Sequence, residues 1–250
     1  VDDFTGCHWF LHATKLVPLK GKQPSSSYFK IFAMKKTVIL LGATGLVGGH
    51  LLNLLLQDDT IIKVVLFSRR SPQVNHPKIE EHLIDLFQLE NYGELFKGDA
   101  VFCTVGTTKA KTPDQEMYKR IDYGIPVSAA RLAKKNGIDT FAVVSAMGAN
   151  PDSRIFYNKV KGEMERDVLA LQIPYTYVLQ PSLMGGNRSE KRTGEHLAQL
   201  VARAFKFLIP KRYEMIHPET IAKAMLVLSE SKPASGRISS DEIKTIAAAR

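Results

Sequence analysis

Cysteine is scarce: Cys7 and Cys103 are the only two in 250 residues. They are too few and too far apart for a disulfide framework, and Cys103 sits inside an apolar run, so a reduced compartment is expected, namely the cytoplasm. Long apolar runs are also missing. None approaches the ~20 residues needed to span a bilayer, and each candidate is bounded by Gly, Lys or Asp, so the expectation is a soluble chain without a membrane partner. The net charge of +9 brings no basic stripe with it. The longest basic clusters are pairs such as Arg69-Arg70 and Lys134-Lys135, with no aromatics interleaved, and this argues against nucleic acid as a partner. Internal repeats are absent. Cys7, His8 and His12 lie close in sequence but have no second ligand cluster, so no metal is assigned.

A hydrophobic fraction of 44% is ample for the core of one α/β domain. Residues 1–33 read differently from the rest, with Pro18, Gly21, Pro24 and Ser25-Ser26-Ser27 ahead of Met34-Lys35-Lys36-Thr37, which resembles an ordinary start. The segment lacks arginine and the apolar centre of a secretion signal, so an upstream-extended start is preferred to a targeting peptide. The expected organisation is a leader over 1–33, outside the fold, and a single domain over 34–250.

Within that domain, Thr37-Val38-Ile39-Leu40-Leu41 is an apolar strand without polar alternation, as in a parallel sheet covered on both faces. It runs into Gly42-Ala43-Thr44-Gly45-Leu46-Val47-Gly48, whose glycines are spaced three apart, and then into helix-forming leucines. In this setting Gly42 makes the tight turn, Gly45 lets backbone N–H groups approach a pyrophosphate, and Gly48 lets helix and strand pack closely. The helix N-terminus adds a positive end for phosphate. Strand and helix signals then alternate. Strands are expected at Val38–Leu41, Lys63–Phe67, His82–Ile84, Ala100–Thr104, Thr140–Val144 and Tyr175–Leu179, with helices at Leu46–Leu56, Asp114–Lys135 and Asp152–Leu171. This is a doubly wound parallel sheet of the Rossmann kind, flanked by helices. After Leu179 the alternation weakens. An amphipathic helix through Leu197, Leu200, Val201, Ala204 and Leu208, a second over Pro218–Leu228 and a terminal piece through Asp241–Ala248 suggest a small C-terminal helical cap, at about 181–230, over the substrate.

The second strand ends Phe67-Ser68-Arg69-Arg70. An acid at this position accepts from an adenosine 2′-hydroxyl, whereas arginine accommodates a 2′-phosphate. A hydroxyl and two guanidinium groups therefore predict NADPH/NADP+ as the cofactor. On the expected helix after the fifth strand, Tyr157 and Lys161 stand four apart and share a face. A phenol titrates near ~10, and a neighbouring ammonium stabilises its phenolate, which suits a proton relay. Ser145 ends the fifth strand at the same sheet edge, where its hydroxyl would polarise a carbonyl.

These segments together resemble an atypical short-chain dehydrogenase/reductase, in particular the Tat-interacting-protein oxidoreductase group. The resemblance covers most of Met34 to Ala248. It rests on the glycine loop, the Arg69-Arg70 pair, Cys103-Thr104-Val105-Gly106-Thr107-Thr108, Ser145-Ala146-Met147-Gly148-Ala149, the Tyr157 to Lys161 motif and Lys161-Gly162-Glu163. It implies that Asp85 approaches the adenine amino group, Val105 and Gly106 the adenosine side, and Lys161 the nicotinamide ribose. It also implies that Pro181, Met184 and Arg192 line the nicotinamide end. The chain departs from the family pattern at Gln180, where an arginine is common, and at Asp122, where many reductases carry an asparagine. The expected activity is an NADPH-dependent oxidoreductase acting on a small carbonyl or alcohol, with Ser145, Tyr157 and Lys161 catalytic. The alternatives are an NADPH-sensing binding protein that presents its surface to a protein partner and, less favoured, a nucleotide-sugar epimerase.

Overall fold

Strands that are aliphatic on both faces need cover on both, and the computed structural model, which describes residues 35–183 and 214–249, supplies it with two helical layers. All of these residues fall in the unit Lys35–Arg250. The strands are β1 (Lys36–Leu41), β2 (Ile61–Ser68), β3 (Ile79–Leu83), β4 (Ala100–Cys103), β5 (Thr140–Val144), β6 (Tyr175–Gln180) and β7 (Gly236–Ser239). They form one seven-stranded sheet in the order β3-β2-β1-β4-β5-β6-β7, and every neighbouring pair is parallel. The order reverses at β1, so the crevice at a topological switch point opens where β1 and β4 end.

The period of two along each strand divides the interior. Val38, Leu40, Leu66 and Phe102 face one way, against helices α1 (Leu46–Gln57), α5 (Pro218–Ser231) and α6 (Ser240–Ala247). Ile39, Leu41, Phe67, Val101 and Phe141 face the other way, against α3 (Ile125–Lys135), α4 (Phe156–Ala170) and a short 3-10 segment, Leu86–Tyr92.

All six expected strands are present, Thr140–Val144 with the bounds expected and the others with shifted ends. β3 lies a few residues earlier than expected because its edge position admits polar residues: Glu80 takes Lys63 Nζ at 2.7 Å and His82 Nε2 at 2.9 Å. β7 was not anticipated, since Gly236-Arg237-Ile238-Ser239 offers a single aliphatic residue to a periodicity argument.

Two helices differ from expectation. The long one expected over Asp114–Lys135 is three pieces: α2 (Gln115–Lys119), a π-helical turn over Arg120–Gly124, and α3. Pro126 explains the interruption. It lacks an N–H, and its ring collides with the carbonyl four residues back, that of Asp122, so the turn widens there. The helix beginning at Pro218, expected in a substrate cap, belongs instead to the layer beside α1. Ile221, Ala222, Ala224, Met225, Leu226 and Leu228 are all buried in the same core as Leu51, Leu52 and Leu55. That apolar surface is too wide for a helix lying over a cleft. The helix expected through Leu197 to Leu208 lies outside the described residues.

Candidate active site

The turn after β1 is built from close backbone approach. Gly42 has φ +90°, a left-handed value that a side chain disfavours. Gly45 N–H donates to Gly42 O at 2.9 Å. A Cβ on Gly48 would land on the Gly42 carbonyl and on Thr104 Oγ1, so helix and loop meet at contact distance only because Gly48 has none. Thr104, at the end of β4, points its hydroxyl at the carbonyls of Leu41 (3.0 Å) and Gly42 (3.2 Å) and clamps the loop from below. Its part was not read from the sequence, where threonine after a buried strand carries no distinctive signal. Gly45 is the N-cap of α1 and offers no side-chain cap, which leaves the first-turn amides facing the cleft for an anion.

A cleft of about 620 Å³ opens over this turn, lined by Ala43, Thr44, Gly45 and Leu46 and, across from them, by Arg70 and Ser71. Val47 and Gly48 lie beneath it; Val47 packs into the core instead of facing the cleft. His50 and Asn53 also line it, one and two turns along α1 from Leu46, a spacing visible in the sequence but not used. At the end of β2, Ser68 is buried and its Oγ has no protein partner, while Arg69 and Arg70 are exposed. An orphaned hydroxyl at the cleft side of two exposed guanidinium groups leaves polar groups free for a ribose, so the residues present fit a nicotinamide dinucleotide. Asp85 caps the 3-10 segment, accepting from Phe87 N at 3.0 Å, and its exposed carboxylate keeps further acceptor capacity. Val105 and Gly106 follow β4 at the crevice, and Pro181 follows β6, where its carbonyl accepts from Met147 N at 2.9 Å. Met184 and Arg192 lie outside the described residues.

Tyr157 and Lys161 share one face of α4. Tyr157 is partly exposed, and its ring stands edge-on to buried Tyr118 with centroids 6.0 Å apart. Lys161 is buried. Its Nζ pairs with Asp122 Oδ1 at 2.9 Å and reaches the Val144 carbonyl at 3.4 Å. Burial is the largest influence on this lysine and pulls its pKa down, but the charge of Asp122, the nearby Tyr157 phenol and the Asp122 contact together outweigh it, so the ammonium is held above its ordinary range.

Ser145 is where the site departs from expectation. Its hydroxyl donates to Glu165 Oε1 at 2.5 Å. A serine has one proton to give, so a hydroxyl committed to Glu165 cannot also donate to a substrate oxygen. In this geometry Ser145 is a support for Glu165 and not the polarising donor. Glu165 is buried one turn beyond Lys161 and also accepts from Gln180 Nε2 (2.9 and 3.0 Å) and from Arg237 Nε (2.7 Å). The guanidinium on this carboxylate comes from β7, while position 180, where the resembled family commonly has an arginine, contributes the Gln180 amide. Sequence reasoning missed this carboxylate because its partners come from three different elements. Since hydrogen bonds to a charged group contribute about 1.5–3 kcal/mol, Arg237→Ala is expected to lower unfolding free energy by roughly that much in urea titrations. An unchanged midpoint would show the network to be dispensable.

Comparison with known proteins agrees with this fold. The model of the NAD(P)H-binding family matches residues 42–206. The mitochondrial protein FMP52-1 of Scheffersomyces stipitis is 37% identical over 161 residues, covering 62% of this chain and 70% of the relative. The mitochondrial protein FMP52 of Meyerozyma guilliermondii is 33% identical over 221 residues, 84% of this chain and 94% of the relative. Among solved structures, the Helicobacter pylori ADP-L-glycero-D-manno-heptose-6-epimerase aligns with a TM-score of 0.61 at 18% identity, over 87% of this chain and 83% of that one. The UDP-N-acetylglucosamine 4-epimerase of Methanobrevibacter ruminantium aligns with a TM-score of 0.63 at 16% identity, over 82% and 77%. At such identities the two epimerases show the shared fold alone. The relatives' mitochondrial names overturn the cytoplasmic expectation. Few cysteines argue only against an oxidising compartment and do not separate one reducing compartment from another.

Proposed function

The chain belongs to the NAD(P)H-binding family, and on that premise we propose that it is an NADPH-dependent oxidoreductase of the atypical short-chain dehydrogenase/reductase type, acting on a small carbonyl or alcohol. The observation that carries this reading is the buried Lys161 ammonium one helical turn from Tyr157, at the sheet edge that also holds the glycine loop. Holding a dinucleotide requires the loop; it does not require a half-exposed phenol beside a desolvated cation. When bound, the cofactor supplies or accepts the hydride. Main-chain amides of Ala43, Thr44 and Leu46 would hold its diphosphate, Ser68, Arg69 and Arg70 would engage a ribose phosphate, and Tyr157 exchanges a proton with the substrate oxygen. Following its relatives' names, we place the protein in mitochondria.

The cofactor preference has its own test. Each Arg-phosphate contact is worth roughly 1.5–3 kcal/mol, on the order of 10- to 100-fold in affinity. Arg69→Ala with Arg70→Ala is therefore expected to weaken NADPH by at least ~10-fold and leave NADH nearly unaffected, as read by calorimetry at several salt concentrations. Equal wild-type affinities for the two cofactors would discard the preference. One observation favours the second reading, a cofactor-sensing binding protein: the Ser145 proton is spent on Glu165. A carbonyl panel followed at the NADPH absorbance band separates the two, with silence across the panel and tight NADPH binding pointing to the sensor.

A further inference from the structure

The relay holds a charge that proton transfer by Tyr157 and Lys161 does not call for. Asp122 is 1% exposed and lies in the π-helical turn that Pro126 opens. Its Oδ1 is 2.9 Å from Lys161 Nζ, and its Oδ2 accepts the Thr107 N–H at 2.8 Å. Anchored at both oxygens, the carboxylate is fixed against the ammonium.

Among the described residues, the other groups that face the pair are neutral or already paired. From α2 comes Tyr118, kept protonated first by burial and then by the negative field of Asp122. From β4 comes Cys103, whose thiol burial pushes up to about 11. The β5 side presents the Val144 carbonyl. Glu165, the next turn of α4, is already engaged by Ser145, Gln180 and Arg237. Among the described residues, the full charges in direct contact at Lys161 are therefore one cation and one anion, and they cancel.

An ammonium by itself would draw the phenol proton off, since an opposite charge within ~4–6 Å lowers an acid's pKa by about 1–3 units. A carboxylate in contact with that ammonium removes most of the effect. We propose that Asp122 is a positioning residue that keeps the Tyr157–Lys161 pair fully protonated through the neutral range, so that the site gives a proton to a carbonyl oxygen in preference to taking one from an alcohol. The direction of reaction rests on the oxidoreductase reading; the protonation state does not. In the favoured direction the Tyr157 O–H bond breaks as the product O–H bond forms. The carbonyl carbon receives the hydride, the reduced nicotinamide dinucleotide is oxidised, and solvent returns the proton to the phenolate.

Asp122→Asn tests this. The amide oxygen still accepts from Thr107, but the charge is gone, and a pair whose buried ammonium has lost its counter-charge releases its first proton sooner whichever atom it leaves. NMR titration of the full chain labelled with 13Cζ-tyrosine and 15Nζ-lysine reads both atoms without cofactor or substrate, with Tyr157→Phe and Lys161→Met assigning the signals. The first proton is expected to leave at least about one pH unit lower in Asp122→Asn than in wild type, while Asp122→Glu titrates like wild type. Coincident midpoints would overturn the proposal. Should Asp122→Asn fail to fold, wild type decides alone: loss of either proton below about pH 8 contradicts full protonation through neutrality, and retention of both supports it. If no carbonyl compound is turned over, the oxidoreductase reading fails while the titration still stands or falls by its own midpoints.

Discussion

Tyr157→Phe is expected to lower NADPH-dependent carbonyl reduction by at least ~10²-fold, the loss that follows removal of a general acid, with NADPH affinity and thermal midpoint nearly unchanged. The substitution removes one oxygen from a partly exposed side chain and keeps the ring, whose edge-on contact with Tyr118 survives. Lys161 stays held by Asp122 in the variant, so the local backbone has no reason to move. With binding unaltered, the loss belongs in kcat and in kcat/KM together, as for an interaction made only in the transition state. Single-turnover oxidation of bound NADPH reads this without interference from product release. A phenylalanine variant with full activity would remove Tyr157 from the chemistry.

Gly48→Ala should have an effect of similar size on binding. The new methyl group would occupy the position of the Gly42 carbonyl and press on Thr104 Oγ1, and the first of these is backbone that cannot rotate aside. Either α1 backs away from β1 or the turn opens, at a cost of about 1–3 kcal/mol for overpacking. Both shifts displace the amides meant for the diphosphate. NADPH binding is expected to weaken by ~10²-fold or more, on the scale of losing two charge-assisted hydrogen bonds. Gly93→Ala, at the end of the 3-10 segment and outside the cleft lining, is the control. Among the described residues its Cβ would meet Leu132 Cδ2 at 3.5 Å and the Glu90 carbonyl at 3.6 Å, ordinary contacts, so this variant should bind like wild type. Equal affinities of the two variants would mean that the close approach at Gly48 does not shape the phosphate site.

How much of this was legible beforehand follows from where each signal resides. The β1 strand, its glycine turn and α1 were readable because strand type, turn chemistry and helix start are local and agree with one another. Tyr157 and Lys161 were readable for the same reason, four residues apart on one helix. The π-helical turn was in principle visible through Pro126, whose clash lands on Asp122, but helix periodicity alone ran straight through it. The partners of Glu165 were not legible. Ser145 follows β5, Gln180 ends β6 and Arg237 lies on β7, and only the packed sheet brings them to one carboxylate. The placement of the helix at Pro218 was lost because sequence order after the sixth strand does not say which layer a helix joins, and β7 because a four-residue edge strand has too little pattern to read. Compartment was misjudged because cysteine content reports redox state and carries no address.

The most direct measurement is calorimetric titration of the full chain with NADPH and, separately, NADP+. One saturable site is expected, with its heat lost or much reduced in Gly48→Ala and retained in Tyr157→Phe. No heat from either form of the cofactor in the wild-type chain would contradict the phosphate-binding role of the turn between Leu41 and Leu46, and with it every step assigned to Tyr157.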